Sequence, residues 1–437
     1  MLQTIANAFK VPELRKKILY TAFIILIFRI GAAIPVPFTD ASMGIVDQAA
    51  GNFMNYLSMM TGDAFNYGTI FAMSITPYIN ASIIIQLLTV AIPALERLAK
   101  EGEEGRKKIT RITRYTAIVI GLLQSTAYFF YLRNGNYLTT NASGEAFVGV
   151  SYFLQAAAVI LTLTAGSALL IWLGEQINVK GIGNGISMIL FAGIVSRIPA
   201  TMTQLYSYFS KGGLFYAFAP IALIIMLLMV VFIVWMDNSE RRIPVQYAKR
   251  VVGRKMYGGQ STHMPIKVNM SGVMPIIFAS SILSLPPTFE MFFDIKQGSG
   301  WATFFNLFNS NNAFYGFFYF IMIIFFAYFY ATIQYNPIEM ANNLRKNSGA
   351  IPGIRPGKPT SDYIFKILSR ITLLGALLLS VVALSPILFS QITSLTGSAM
   401  NISLGGTSVI IMVGVALETV RQLESQMMMR HYKGFLD

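Results

Sequence analysis

The sequence predicts an all-α polytopic membrane protein of ten transmembrane helices in two inverted five-helix halves. Composition, the placement of Lys and Arg, and one repeated string predict it. Of 437 residues, 54% are hydrophobic and only 12% charged, far below the roughly 25% charged residues of an ordinary soluble domain. Ten spans of about 20 residues use about 200 residues, so the chain also holds long loops. The apolar runs are continuous rather than alternating, which disfavours a β-barrel.

In chain order, the first span runs from Ile18 to Ala33 and leads into Pro35, Val36 and Pro37. That ending lacks a small-residue cleavage site, so the segment reads as a retained helix rather than a signal peptide. Asn52 to Phe65 is too short to cross and reads as a small amphipathic helix. It either lies at the interface or folds inward to close a water-filled pathway from outside. Strong spans follow at Tyr115 to Leu132, Tyr152 to Leu173, Phe215 to Met236, Phe314 to Ile333 and Ile367 to Phe389. Four weaker ones, Thr69 to Ile92, Gly183 to Ile198, Val268 to Leu285 and Gly406 to Val420, are interrupted by Pro, Gly or polar residues. Between spans, Ile243 to Tyr257 partly alternates around Gly253, which suits a protruding β-hairpin with Arg250, Arg254 and Lys255 at its tip. After Pro337 a short helix is expected, capped by Gly349, then a stiff loop from Pro352 to Pro359 presenting Arg355 and Lys358.

Charge decides whether the weak four cross. Arg97 to Arg114, Arg241 to Lys267 and Arg345 to Lys358 are dense in Lys and Arg, and share the cytoplasmic side with Lys10, Arg15, Lys16 and Lys17. Even numbers of crossings must separate them, and each interval between them holds an odd number of strong spans. One weak span in each interval, and the last weak one paired with Ile367 to Phe389, yields ten spans with both termini cytoplasmic. The 33 Lys and Arg then divide into 28 inside, 4 outside (Arg133, Arg197, Lys211, Lys296) and Arg29 within the first span.

The second and seventh spans run in opposite directions and share P-x-I-x-A-S, at Pro77 to Ser82 and Pro275 to Ser280, 198 residues apart. All four weak spans fall at ranks two, five, seven and ten, matching under a five-span offset. An inverted repeat follows, with halves at 1–206 and 207–437 and cytoplasmic loops at about 237–267 and 336–365. Simple kinking of packed helices is the other reading of these prolines, whereas polar residues on water-lining helices would serve function.

Several chemistries are excluded or disfavoured. No cysteine is present, and His263 and His431 are far apart, so thiolate and histidine metal clusters are not expected. Gly353 to Pro359 is too short for a phosphate-binding loop and lacks its Ser or Thr. No catalytic constellation stands out, and neither an enzyme activity nor a cofactor is expected. Coupled transporters bury ionisable groups near the midplane. Here Arg29 is the one charge well inside a span, either a partner for carbonyls or a helix end, or a transport residue. The basic loops either enforce orientation and touch anionic lipid, or dock an RNA-rich or acidic partner.

The strings PYINASIIIQLLT (77–89), EGEEGRKKIT (101–110), KGIGNGIS (180–187), QSTHMPIKVNMSGVMPIIFASS (260–281), KNSGAIPGIRPGKPT (346–360) and GGTS (405–408) occur in one order over essentially the whole chain. In these the chain resembles the SecY family, the channel subunits of the bacterial Sec protein translocase.

The resemblance implies two halves closed around a central hourglass pore, with a lateral gate to lipid between the second and seventh helices. By position, the apolar pore ring is Ile75, Ile79, Ile186, Leu190, Ile277 and Ile411, with Leu190 where isoleucine is frequent. Such a ring dewets and resists ion leak while offering a passing polypeptide no fixed charge. Taken singly, each of these residues also reads as ordinary core packing. The plug corresponds to about 52–65, with Tyr56, Leu57, Met59, Met60 and Phe65 its large side chains. Asn80, Gln86, Pro275 and Leu285 fall on the gate helices, and Arg250, Arg254, Lys255, Arg355 and Lys358 on the partner-binding loops. The resemblance further implies the membrane subunits SecE and SecG, the motor ATPase SecA or the ribosome as driver, and signal-peptide-bearing polypeptides as substrates. The expected setting is the bacterial plasma membrane. A small-solute permease is the competing function, and it predicts saturable solute uptake.

Overall fold

The computed structural model describes residues 8–39, 58, 61–135, 137–139, 149–247, 250–252, 255–257, 261–290, 300–308, 312–395 and 406–433. Helix α1 spans Pro12–Gly31, its proline in the first turn, where a missing N–H costs nothing. The chain then passes through irregular structure, where Val36 N–H donates to Gly68 O and Ile70 N–H to Ile34 O.

The second predicted span is helical only from Thr76, as α2 (Thr76–Ala91). Residues 69–75 are turns that fold back into the bundle. Two side-chain-free positions on neighbouring helices receive such irregular entries. A Cβ added to Gly166 would lie 2.1 Å from the Ile70 carbonyl oxygen, and one on Gly375 would lie 2.4 Å from that of Val268. Ile70 and Val268 are separated by the same 198 positions as the repeated string.

Ile92 is extended, as a residue before proline prefers, and Pro93 starts α3 (Pro93–Lys100). The two helices meet at 101°, and α3 buries none of its residues. Helices α4 (Glu103–Asn134) and α5 (Val150–Lys180) have 32 and 31 residues, about 48 Å of helix each. They outreach the roughly 30 Å hydrocarbon layer. α4 thereby carries the basic run from Arg106 to Arg114 along its first turns.

The fifth predicted span is α6 (Gly185–Ser196), continued after a kink at Arg197 by α7 (Ile198–Ser210). Asn184 caps α6, its Oδ1 accepting from Ile186 N–H at 3.2 Å, and Asn178 Oδ1 accepts from Gly185 N–H at 2.7 Å. Gly185 lies against Gly174, where a Cβ would meet the carbonyl oxygen at 1.8 Å. α7 carries the chain past the expected 206/207 boundary. The turn comes at Gly212 and Gly213, both with positive φ. Next is α8 (Phe215–Asn238), with Leu227, Leu228, Val231 and Trp235 exposed along it.

Strand β1 (Glu240–Tyr247) pairs antiparallel with β4 (Ser261–Lys267), and β2 (Arg250–Val252) with β3 (Lys255–Tyr257), Val252 opposite Lys255. The expected hairpin around Gly253 is therefore formed, carried on a longer ribbon. The seventh predicted span is helical only over α9 (Met274–Leu283), followed by α10 (Leu285–Glu290) and α11 (Gly300–Leu307). α12 (Ala313–Gln334) and α13 (Pro337–Lys346) come next. Asn336 Oδ1 accepts from Ile338 N–H at 3.1 Å to start α13.

Gly349 does not cap α13. Ser348 takes the left-handed conformation at φ 56°, and Gly349 enters strand β5 (Gly349–Ala350), opposite Tyr247 of β1. A Cβ there would meet the Tyr247 ring at 3.0 Å, so the glycine serves close packing of strand on strand. α14 (Lys358–Leu395) and α15 (Gly406–Lys433) complete the chain.

Among the described residues, seven helical spans are long and apolar enough to cross a membrane, or eight if the bent α2–α3 pair counts as one. α9 has ten residues, about 15 Å, and the first turns of α1 are charged. The main core gathers buried side chains of α1, α2, α5, α6, α8, α9, α12, α14 and α15. A separate small core joins Ile243, Val245 and Ile266 of the ribbon to Ala341 and Leu344 of α13 and Ile364 and Leu368 of α14.

Candidate functional site: an apolar constriction and its surroundings

Helix α2 begins abruptly because Ser74, at φ 48°, turns the chain, and its carbonyl is held by the Ser167 hydroxyl of α5 at 3.1 Å. That turn sets Ile75 at the helix start and Ile79 one turn on. The Asn184 cap likewise starts α6 so that Ile186 and Leu190 are one turn apart. Ile277 follows the Pro275 start of α9, and Ile411 lies in the second turn of α15. Ile75, Ile79, Leu190, Ile277 and Ile411 are buried in one hydrophobic cluster, and the partly buried Ile186 packs against it. Thus the six positions, on the four spans interrupted by polar residues, all lie in or against the main core that nine helices share.

Around it, Asn80 and Pro275 are buried, Gln86 is half-buried and Leu285 is exposed. Phe278 of α9 packs edge-on against Phe326 and Tyr330, with ring centroids 5.7 Å apart in each pair.

Of the five plug side chains, Tyr56, Leu57, Met59 and Met60 lie outside the described residues. Phe65 belongs to a different cluster from the six ring positions, packed with Tyr128, Phe129, Leu132, Val159 and Leu163 of α4 and α5. Its ring lies 4.6 Å from that of Tyr128, whose hydroxyl donates to the Phe65 carbonyl at 2.6 Å. Phe65 therefore anchors the chain entering α2 against α4 and α5.

Beside this anchor is a charged group of which the sequence singles out only Arg29. Arg197 Nε lies 3.1 Å from Asp63 Oδ2, and Arg29 Nη1 donates to Ser196 Oγ at 2.8 Å. Its sequence signals are slight: a Gly62–Asp63 turn pair and one of four external basic residues.

On the other side, Arg355 is exposed on the loop between β5 and α14, and Lys358 is exposed at the first position of α14. That loop is stiff for identifiable reasons: Ile351 is buried beneath it and Thr360 Oγ1 donates to Arg355 O at 2.8 Å. Arg250 and Lys255 fall on β2 and β3, while Arg254 lies outside the described residues. The base of the ribbon is tied to α15 by Arg421, whose Nη2 lies 3.2 Å from Asp237 Oδ2 and donates to Asn238 Oδ1 at 2.9 Å. Among the described residues, no group of three or more His, Cys, Asp or Glu is placed to hold a metal ion.

The SecY family model matches residues 69–420. The chain is 44% identical to Protein translocase subunit SecY of Mycobacterium tuberculosis (strain ATCC 25618 / H37Rv), covering all of both chains. It is 43% identical, with the same coverage, to the protein of that name from Streptomyces griseus. Among solved structures, a protein-conducting channel aligns with TM-score 0.63 at 18% identity over 96% of each chain. A Sec61 from a canine ribosome–channel complex aligns with TM-score 0.59 at 16% identity, again over 96% of each. At those identities the structures show a shared fold, while the family match and the full-length identities show kinship. The chain belongs to the SecY family of protein translocase subunits.

Proposed function

We propose that this protein is the central subunit of a protein-conducting channel that moves unfolded secretory polypeptides across the bacterial plasma membrane and releases transmembrane segments sideways into lipid. The observation that carries it is that the six expected ring positions, on α2, α6, α9 and α15, all lie in or against the main apolar core. A ring of this kind is dry when empty, so it resists ions, and it yields to a chain without binding it.

The paired irregular entries at Ile70 and Val268, each received by a glycine, support ten spans in two inverted halves around that ring. The halves join near the Gly212–Gly213 turn, with both termini cytoplasmic. α2 and α9 form the lateral gate, with Asn80, Gln86, Pro275 and Leu285 on or beside its helices. Residues 52–65 form the plug, with Phe65 as its anchor.

The pore is passive, and SecA or the ribosome supplies the drive through Arg250, Arg254, Lys255, Arg355 and Lys358. Full-length similarity to named translocase subunits and a fold shared with a Sec61 from a ribosome–channel complex support this reading. SecE and SecG complete the assembly.

The absence of cysteine makes the test direct. A single cysteine at Ile79 or Ile277, and a stalled secretory chain carrying one cysteine, should form a disulfide only while the chain is engaged. Verified stalling without crosslinking at accessible ring positions would remove the central-pore assignment.

A further inference from the structure

Gly62 and Asp63 both have positive φ, 64° and 70°, a backbone state that is strained for a non-glycine residue and persists only where surrounding contacts hold it. Those contacts come from two elements distant in sequence. Arg197 occupies the kink between α6 and α7 and pairs with Asp63 at 3.1 Å, the two side chains retaining 16% and 22% exposure. Ser58 closes the cluster: its hydroxyl donates to Asp63 Oδ1 at 2.9 Å, its carbonyl accepts from Asp63 N–H at 2.9 Å, and Arg197 Nη1 lies 3.5 Å from its Oγ.

Beneath the turn, Ser196 Oγ donates to Gly193 O at 2.6 Å and accepts from Arg29 of α1. The fit is tight. A Cβ on Gly62 would lie 2.8 Å from Ser196 Oγ and 2.9 Å from both Arg29 Nη1 and Gly193 O. Two guanidiniums and one carboxylate thus hold a strained turn against the α6–α7 kink. Ion pairs with this little exposure lose much of their solvent screening, so removing one partner is costly.

We propose that the Asp63–Arg197 ion pair, seated on the Arg29–Ser196 contact, is the latch that holds the segment entering α2 on the kink of the N-terminal half and sets its resting position. The inference rests on the plug reading above. It makes Arg197, Asp63 and Arg29 positioning residues for the resting seal rather than parts of the pore wall. Because the latch lies within one half, separation of the halves alone leaves it intact. Its release is then a separate step from gate opening.

The test uses the full chain in its reconstituted complex, measuring ion leak without substrate and translocation with it. Arg197→Glu and Asp63→Arg should each raise the resting leak about tenfold, the population change that about 1.4 kcal/mol produces, while translocation persists. The exchanged pair, Asp63→Arg with Arg197→Asp, should return the leak to within about twofold of the parent, since the attraction is restored at the same place. Single variants at the parental leak, or an exchanged pair as leaky as the singles, would overturn the latch. Deletion of residues 52–60 separates the two ideas. A leak raised by the deletion but not by the single variants removes the latch and leaves the plug; a deletion without effect removes both.

Discussion

The α-carbon of Gly166 faces the backbone carbonyl of Ile70 so closely that a methyl group on it would stand 2.1 Å from the oxygen. An irregular segment buried in a bundle must bring its peptide groups close to helices, and only a residue without a side chain permits it.

Gly166→Ala therefore forces backbone apart from backbone. Overpacking of this kind costs about 1–3 kcal/mol. The expected result is a lower melting temperature of the solubilised complex and faster proteolysis. Gly316→Ala, where the nearest atom is a leucine methyl at 3.8 Å, should be close to neutral.

Ile277 and Ile79 are both buried in the main core and belong to the proposed pore ring. Ile277→Ser shortens the side chain and adds a hydroxyl, so the ring both widens and wets. Resting ion conductance should rise about tenfold or more, an effect on the order of 1.4 kcal/mol. Conductance equal to the parent would show that the seal lies elsewhere.

Arg355 is exposed on a loop whose shape is fixed by Ile351 and by the Thr360 hydroxyl bound to its carbonyl. Arg355→Glu should leave stability and insertion unchanged, since surface changes of this kind stay within about 0.5 kcal/mol. SecA-driven translocation should fall several-fold and become less sensitive to salt, because a screened charge contact has been removed. Translocation at the parental rate would remove this residue from the docking surface.

Arg421 ties α15 to the base of the β1–β4 ribbon through Asp237 and Asn238. Its side chain is 36% exposed, so solvent screening limits the loss in Arg421→Ala to about 1 kcal/mol. The local consequence is larger than the global one. Hydrogen exchange at Arg241 and Ile266 should accelerate while the melting temperature moves by a few degrees at most.

Much of this architecture was legible in the residues alone. Five of the six strong spans survive as the long apolar helices α4, α5, α8, α12 and α14, and the first is helical as α1, because in lipid a continuous apolar run satisfies its backbone as a helix. Gly253 between alternating residues gave away a hairpin. What local reading misplaced lay at irregular joints. Thr69 to Ser74 and Val268 to Val273 are apolar enough to count as helix, yet they turn. Gly349 pairs with Tyr247, about a hundred positions away, instead of ending α13.

Hydropathy, charge asymmetry and turn residues are sums over neighbours in the chain, so the sequence by itself determined the membrane class, the number of strong helices and the basic loops. The tertiary structure alone decided where α2 and α9 begin, which glycines receive the Ile70 and Val268 carbonyls, and that Asp63 meets Arg197. Each of those depends on close approach between segments about a hundred residues apart. Such a contact gains its free energy from distance and burial, which no window of sequence contains.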